Sequence, residues 1–290
     1  MLTHAMTIDV EDYYQVAAFF DVIASDDWSR WPSRVSDNTQ KLLDIFCERN
    51  LKATFFILGK VAEEHPELVK RIAHAGHEIA SHGYSHRFVY EQTPSVFRDE
   101  TLHSKKLLED LTGQAIKGYR AASYSITRHS LWALEVLAEA EFTWDSSIFP
   151  TRHDNYGIPN SPHQPYEILT PQGSLIEFPL TTAKVLGLSL PAAGGGYFRQ
   201  YPYPLSRWLF NRASQHQTQP QIFYLHPWEL DPDQPRIPNA SWFSRFRHYT
   251  NLDKTESRLK QLMTDFPFGT MSESLASVKI EQKLTLDQLK

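Results

Sequence analysis

Short β-rich runs alternate with amphipathic helical patterns along this 290-residue chain, and that alternation leaves few folds open to it. The runs fall at 5–10, 53–57, 78–81, 116–119, 142–145, 175–178 and 222–225. Helical patterns cover 37–49, 66–75, 94–111, 128–139, 204–216 and 254–266. Asp37 reads as an N-cap, Pro66 and Pro94 occupy first turns, and Gly76 and Gly113 follow last turns. Strands joined through helices pair in parallel, because the crossover carries the chain back to the starting edge. The expected fold is α/β, a barrel or barrel-like parallel sheet, with 1–290 as a single domain.

Parallel sheets collect their working residues at the C-terminal ends of strands. Asp9, Glu11 and Asp12 close the first run, and His82 and His86 follow the third. Arg120 follows the fourth, Asp145 ends the fifth, and His226 follows the last. One site at one edge of the sheet is the economical reading.

Composition removes other classes. At 41% apolar and 13% aromatic, the chain can bury a large core. A net charge of −5, without a dense Lys/Arg stripe, argues against a nucleic-acid partner. Cys47 is the single cysteine, so no disulfide forms within the chain, and it reads as a buried helix residue. No apolar run approaches the ~18 residues of a membrane span. Residues 1–6 are too short and too polar for a signal peptide, so a cytoplasmic location is expected. Two segments break the alternation: 151–196 reads as extended loops or an insertion, and 227–246 as a rim over the strand ends. The tail 278–290 has no strong periodicity.

His82 and His86 are four apart among small residues, Ser81, Gly83 and Ser85. On a helical turn that spacing puts both rings on one face. Two neutral histidines and a carboxylate are a common shell for a catalytic metal, because coordination positions stay open. Three acids within four residues repel one another after a buried strand, and a cation relieves this. His226 reads as a general acid, Asp145 as an orienter of His226 or Arg120, and Arg120 as a clamp on an acid of the first strand. Gly194-Gly195-Gly196 lacks the context of a phosphate loop and reads as a turn or a close backbone approach. Tyr197, Tyr201, Tyr203, Trp208, Trp228, Trp242 and Phe243 are candidates to stack on sugar rings, with core or rim packing as the plainer reading.

These motifs resemble the polysaccharide deacetylases of the NodB-homology type, carbohydrate esterase family 4. The resemblance rests on Ala-Thr-Phe-Phe-Ile-Leu-Gly (53–59), Gly-His-Glu-Ile-Ala-Ser-His-Gly-Tyr-Ser-His (76–86), Arg120 to Tyr124, Trp144-Asp145 and Leu225-His226, in order. The motifs lie within 5–227, leaving 228–290 as a C-terminal extension. Asp-Val-Glu-Asp-Tyr-Tyr-Gln-Val (9–16), Gly-Gly-Gly-Tyr-Phe-Arg (194–199) and Arg-His-Tyr-Thr-Asn-Leu (247–252) are similar to the deacetylases of exosortase (PEP-CTERM)-linked exopolysaccharide loci.

The resemblance implies a deformed (β/α) barrel of about seven units, one divalent ion, Zn²⁺ first, and hydrolysis of the acetamide of an N-acetylhexosamine. The substrate implied is an N-acetylated oligo- or polysaccharide. It makes Asp9 the base, His82 and His86 metal ligands, and His226 the acid. Arg120 holds the base, Asp145 tunes the His226 or Arg120 network, and a backbone N–H near Ser123 or Tyr124 meets the oxyanion, with Trp228 beside the substrate. The first motif departs from the family's adjacent pair of Asp. An Asp-x-Asp reading makes Asp9 the base and Glu11 the ligand; an adjacent reading makes Glu11 the base and Asp12 the ligand. The first is preferred, with Asp12 kept as a ligand candidate. Ala121 and Ala122 stand where the family has Pro after Arg, Tyr124 comes one residue late, and Tyr224 replaces a Leu. A hydrolase of another C–N bond, allantoinase-like, and a carbohydrate-binding pseudoenzyme are the rival readings.

Overall fold

A computed structural model describes residues 2–153, 156–217 and 219–290. Strands β1 (His4–Val10), β2 (Thr54–Ile57), β3 (Glu78–Ser81), β4 (Gly118–Tyr119) and β5 (Trp144–Asp145) come first. They are followed by β6 (Tyr166–Thr170), β7 (Gly173–Glu177), β8 (Thr182–Val185), β9 (Leu188–Pro191), β10 (Ile222–Leu225), β11 (Phe268–Gly269) and β12 (Lys283–Thr285). The main sheet has the order β10-β1-β2-β3-β4-β5-β7-β6-β12, with β11 on β1. From β10 to β7 every neighbouring pair is parallel. This parallel run matches the expected α/β class. Among the described residues the hydrogen-bonded order is an open path.

Every residue of β1 is buried, as a strand covered on both faces requires. The register aligns the strand ends. Ile57 pairs with Ser81, Ser81 with Tyr119, Tyr119 with Asp145, and Asp145 with Glu177. The residues that leave β1, β3, β4 and β10 therefore emerge along one edge.

Helix Pro94–Thr112 starts and stops where its caps predict: Thr93 Oγ1 accepts the Val96 N–H, and Gly113 takes φ +68°. Helix Val35–Glu48 buries Leu42, Leu43, Ile45 and Phe46 as expected, but begins two residues before Asp37. Its first N–H groups are met from outside the helix, by Asp12. Cys47 is exposed on this helix, contrary to expectation, because the buried stripe runs through its neighbours.

The segment 151–196 is more ordered than its composition predicts. It holds the antiparallel pairs β6–β7 and β8–β9. The tail likewise contributes β12, which pairs in parallel with β6. That strand is a three-residue piece with no buried residue, so periodicity had nothing to register. The rim segment forms a short 3-10 helix, Pro227–Leu230, and helix Trp242–Tyr249. No helix among the described residues is long and apolar enough to cross a membrane.

Candidate active site

Asp9 lies on β1 with its side chain buried. Arg120, immediately after β4 and fully buried, donates from Nη1 to Asp9 Oδ1 at 2.7 Å and to Thr7 Oγ1 at 2.9 Å. Its Nε and Nη2 donate to Ser146 O at 3.2 Å and Ser146 Oγ at 3.0 Å, and its guanidinium lies 3.9 Å from the Phe56 ring centre. The Tyr124 hydroxyl donates to Asp9 Oδ2 at 3.3 Å. Burial opposes ionisation of Asp9, but Arg120, His82 and His226 outweigh it and hold the carboxyl below the usual range. Asp9 is thus an ionised carboxylate in a rigid cradle.

His82 and His86 do come together, with ring centres 5.4 Å apart, but not on a helical turn. The loop after β3 is irregular, and Gly83 and His86 take φ +75° and +55°. A left-handed His costs about 1 kcal/mol. His82 Nδ1–H donates to Arg120 O at 2.9 Å, so its bare Nε2 faces Glu11. Burial pushes His82 down to about 4, against the pull of Asp9 and Glu11, so the ring is neutral at pH 7. Glu11 Oε2 lies 3.9 Å from His82 Nε2 and against His86 Nε2. The three ligand atoms fall within 4.8 Å of one another. Glu11 Oε2 is buried and has no hydrogen-bond donor. A carboxylate oxygen facing two buried imidazole nitrogens fits a divalent cation of borderline softness, Zn²⁺ among them.

Asp12 is turned away from this cluster. Its Oδ2 accepts from Ser33 Oγ at 2.7 Å, Arg34 N at 2.9 Å and Val35 N at 3.2 Å, and its Oδ1 from Tyr13 N at 3.0 Å. It neutralises the start of helix Val35–Glu48, where free N–H groups and the helix dipole favour an anion. Of the two ligand candidates in the first motif, Glu11 is the one beside the histidines.

His226 follows β10. Its Nε2 lies 3.5 Å from Glu11 Oε1, and its Nδ1 is 2.8 Å from Glu229 Oε1. Burial disfavours the charged ring, but Glu11, Glu229 and Asp9 raise it to about 9. Trp228 stacks on His226 at 5.1 Å and 20°, and on His248 at 4.2 Å and 14°. Its indole N–H donates to Glu11 Oε1 at 3.4 Å. Trp228 is 5% exposed, so its ring is packing between histidines more than an open platform for a sugar.

Asp145 makes no hydrogen bond to His226, and the Arg120 charge favours its ionised form. Ser147 Oγ donates to its Oδ1 at 2.6 Å and itself accepts the Ala121 N–H at 2.8 Å. Its strand neighbour is Glu177, also fully buried. The residues that do hold His226 were not anticipated. Glu229, three positions on, receives the His226 backbone N–H at 3.0 Å as well as the ring contact. Arg199 Nε donates to Glu229 Oε2 at 2.5 Å. The available signal was His-Pro-Trp-Glu itself, a Glu at the third position of a capping box.

Ser123 and Tyr124 both take left-handed φ, +52° and +55°. The Tyr124 N–H is bonded to Ala121 O at 3.0 Å. Asp9, Glu11, His82, His86 and His226 open on a groove of about 590 Å³, which Ser123 and Tyr124 also line. That volume is in the range of sites for molecules larger than one sugar ring. Its far wall includes Tyr197, Phe243, Phe246 and Arg247, with Phe243 and Phe246 exposed.

Residues 15–142 match the family model described as polysaccharide deacetylase, and 146–276 one described as a domain of unknown function, DUF3473. His82, His86 and Arg120 fall in the first match and His226 and Glu229 in the second. Over 98 residues the chain is 40% identical to the peptidoglycan-N-acetylglucosamine deacetylase of Bacillus cereus, covering 33% of this chain and 36% of that protein. A presumed polysaccharide deacetylase of Mycobacterium smegmatis superposes with a TM-score of 0.62 at 21% identity, over 97% of this chain and 92% of the other. The PuuE allantoinase superposes with a TM-score of 0.59 at 14% identity, over 94% and 89%. At those identities the structures show a shared fold.

Proposed function

We propose that the protein, whose residues 15–142 match the polysaccharide deacetylase family model, hydrolyses the N-acetyl group of N-acetylhexosamine units in a glycan. The observation that carries this reading is the convergence of Glu11, His82 and His86 with the Asp9–Arg120 pair and His226 on one groove.

Glu11, His82 and His86 would hold a divalent ion, with Zn²⁺ the best match to two nitrogens and one oxygen. Such an ion supplies a Lewis acid for the acetyl carbonyl and lowers the pKa of water. Asp9, kept ionised and oriented by Arg120 and the Tyr124 hydroxyl, takes a proton from the attacking water. His226 presents Nε2 to the groove and gives its proton to the departing amine nitrogen. The C–N bond breaks, leaving acetate and a free amine. The Ser123 backbone N–H is the donor for the developing oxyanion, since that of Tyr124 is spent on Ala121 O.

The polymer we assign is an exopolysaccharide or its precursor. The support is the resemblance of segments 9–16, 194–199 and 247–252 to the deacetylases of exopolysaccharide loci. The test is acetate release from chitooligosaccharides, peptidoglycan fragments and exopolysaccharide, with allantoin in parallel. Acetate from an acetylated glycan, lost in Asp9→Asn and His82→Ala, is expected. Turnover of allantoin alone, or full activity after chelator dialysis, overturns the proposal.

A further inference from the structure

We infer that Glu229, held by Arg199, is the positioning residue for His226, a task the sequence reading offered to Asp145 for either His226 or Arg120. The inference rests on His226 acting as the acid of the proposed reaction. Glu229 Oε1 receives two N–H groups of one residue, the His226 backbone N–H at 3.0 Å and the ring Nδ1–H at 2.8 Å. That double contact fixes the direction of the side chain as well as its ring. An ionised carboxylate accepts only, so Nδ1 carries a hydrogen in every state of the ring and Nε2 is left to face the groove.

Arg199 keeps Glu229 ionised. Burial opposes that charge, and Arg199 and His226 outweigh it. Arg199 is itself immobilised. Its Nη1 donates to His248 O at 2.8 Å and Thr250 O at 2.9 Å. Its own carbonyl accepts from Asn251 Nδ2 at 2.8 Å and Arg258 Nη1 at 2.7 Å. The glycines before it serve the same end. Gly194, at φ +122°, bridges to Tyr224 on β10, and a Cβ there would stand 2.1 Å from Tyr224 O. Arg199 and His226 are thereby registered against the same strand. Asp145 meanwhile accepts from Ser147 Oγ and has Glu177 as its strand neighbour.

The test is a double-mutant cycle between Glu229 and His226. Glu229→Gln should lower kcat about 10- to 100-fold, the usual effect of an outer-shell partner, with KM and metal content within about threefold. Adding Glu229→Gln to His226→Ala should cost little more than His226→Ala alone, because the two act as one unit. Full kcat in Glu229→Gln, fully additive losses, or coupling of His226 to Asp145 in an Asp145→Asn cycle overturns the inference. The ring itself gives a readout independent of turnover. A downfield, slowly exchanging Nδ1–H proton resonance of His226 should be present in the native protein and absent in Glu229→Ala that retains its melting transition. Its persistence in Glu229→Ala also overturns the inference. If no glycan is deacetylated, the functional reading fails while this resonance still tests the contact.

Discussion

Asp145 and Glu177 stand side by side on β5 and β7 as register partners, both fully buried. Burial raises Asp145 to about 6, and burial together with the Asp145 charge raises Glu177 well above its usual range. Two adjacent buried carboxylates cannot both ionise cheaply.

A stability dependence follows from that pair. Folded pKa values above the unfolded ones mean the native state retains protons the unfolded chain has lost. The contribution is present below about pH 4 and is lost as pH rises through 6 and beyond, at a slope of up to about 1.4 kcal/mol per pH unit per group. Glu177→Gln keeps a donor toward Asp145 and should flatten this decline, making the variant more stable than the native protein at pH 8. Urea titrations from pH 5 to 8 measure it; parallel curves for the two proteins would count against a shared proton.

His4 and His77 act in the opposite direction. Each accepts a backbone N–H at Nδ1, from Gln221 at 3.0 Å and Ala53 at 3.1 Å, which requires a neutral ring. Burial lowers both to about 4, with Lys52 adding to the effect at His77. Their contribution is complete above about pH 6.5 and is lost as pH falls toward 4, again at up to about 1.4 kcal/mol per unit for each. His77→Asn offers an oxygen acceptor in place of Nδ1 and should show a shallower acid limb. An unchanged limb in denaturant melts between pH 7 and 4.5 would remove His77 from the account.

Glu11 and Asp12 should separate cleanly despite being neighbours. Glu11→Gln should lose bound metal, measured by elemental analysis after dialysis, with little change in melting temperature of the metal-free protein. Asp12→Ala should keep metal stoichiometry and lose about 1–3 kcal/mol, since it strands the N–H groups of Arg34 and Val35. The reverse pattern would reassign the ligand.

Arg120→Met is expected to cost about 3–5 kcal/mol, because it leaves the Asp9 carboxylate buried without its partner. Asp9→Asn, which removes the charge with the shape retained, should be far milder for stability and cost about 100- to 10,000-fold in kcat. A folded Asp9→Asn with native turnover would transfer the base role elsewhere.

Much of the frame was legible beforehand because it is local. Residues 78–81 and 222–225 are strands where pattern placed them, and Thr93 and Gly113 cap their helix. Repeating apolar period and turn chemistry act over a few residues and survive any tertiary context. β12 and the β8–β9 hairpin escaped notice because their pairing partners, more than their own patterns, make them strands. Helical spacing also misread residues 82–86, where His86 meets His82 through a left-handed backbone.

The amino-acid sequence by itself determined a parallel α/β sheet and placed Asp9, His82, Arg120 and His226 at its strand ends, since the period of a strand dictates where it stops and which way its last residues emerge. Only the tertiary structure decided which acid faces the histidines, why Asp145 pairs with Glu177, and that Arg199 and Glu229 stand behind His226. Those outcomes depend on side-chain direction and on contacts a few ångströms long between segments 22 to 217 residues apart, such as Arg199 with Glu229 and Asp12 or Glu11 against distant elements. Spacing along the chain carries no record of such distances.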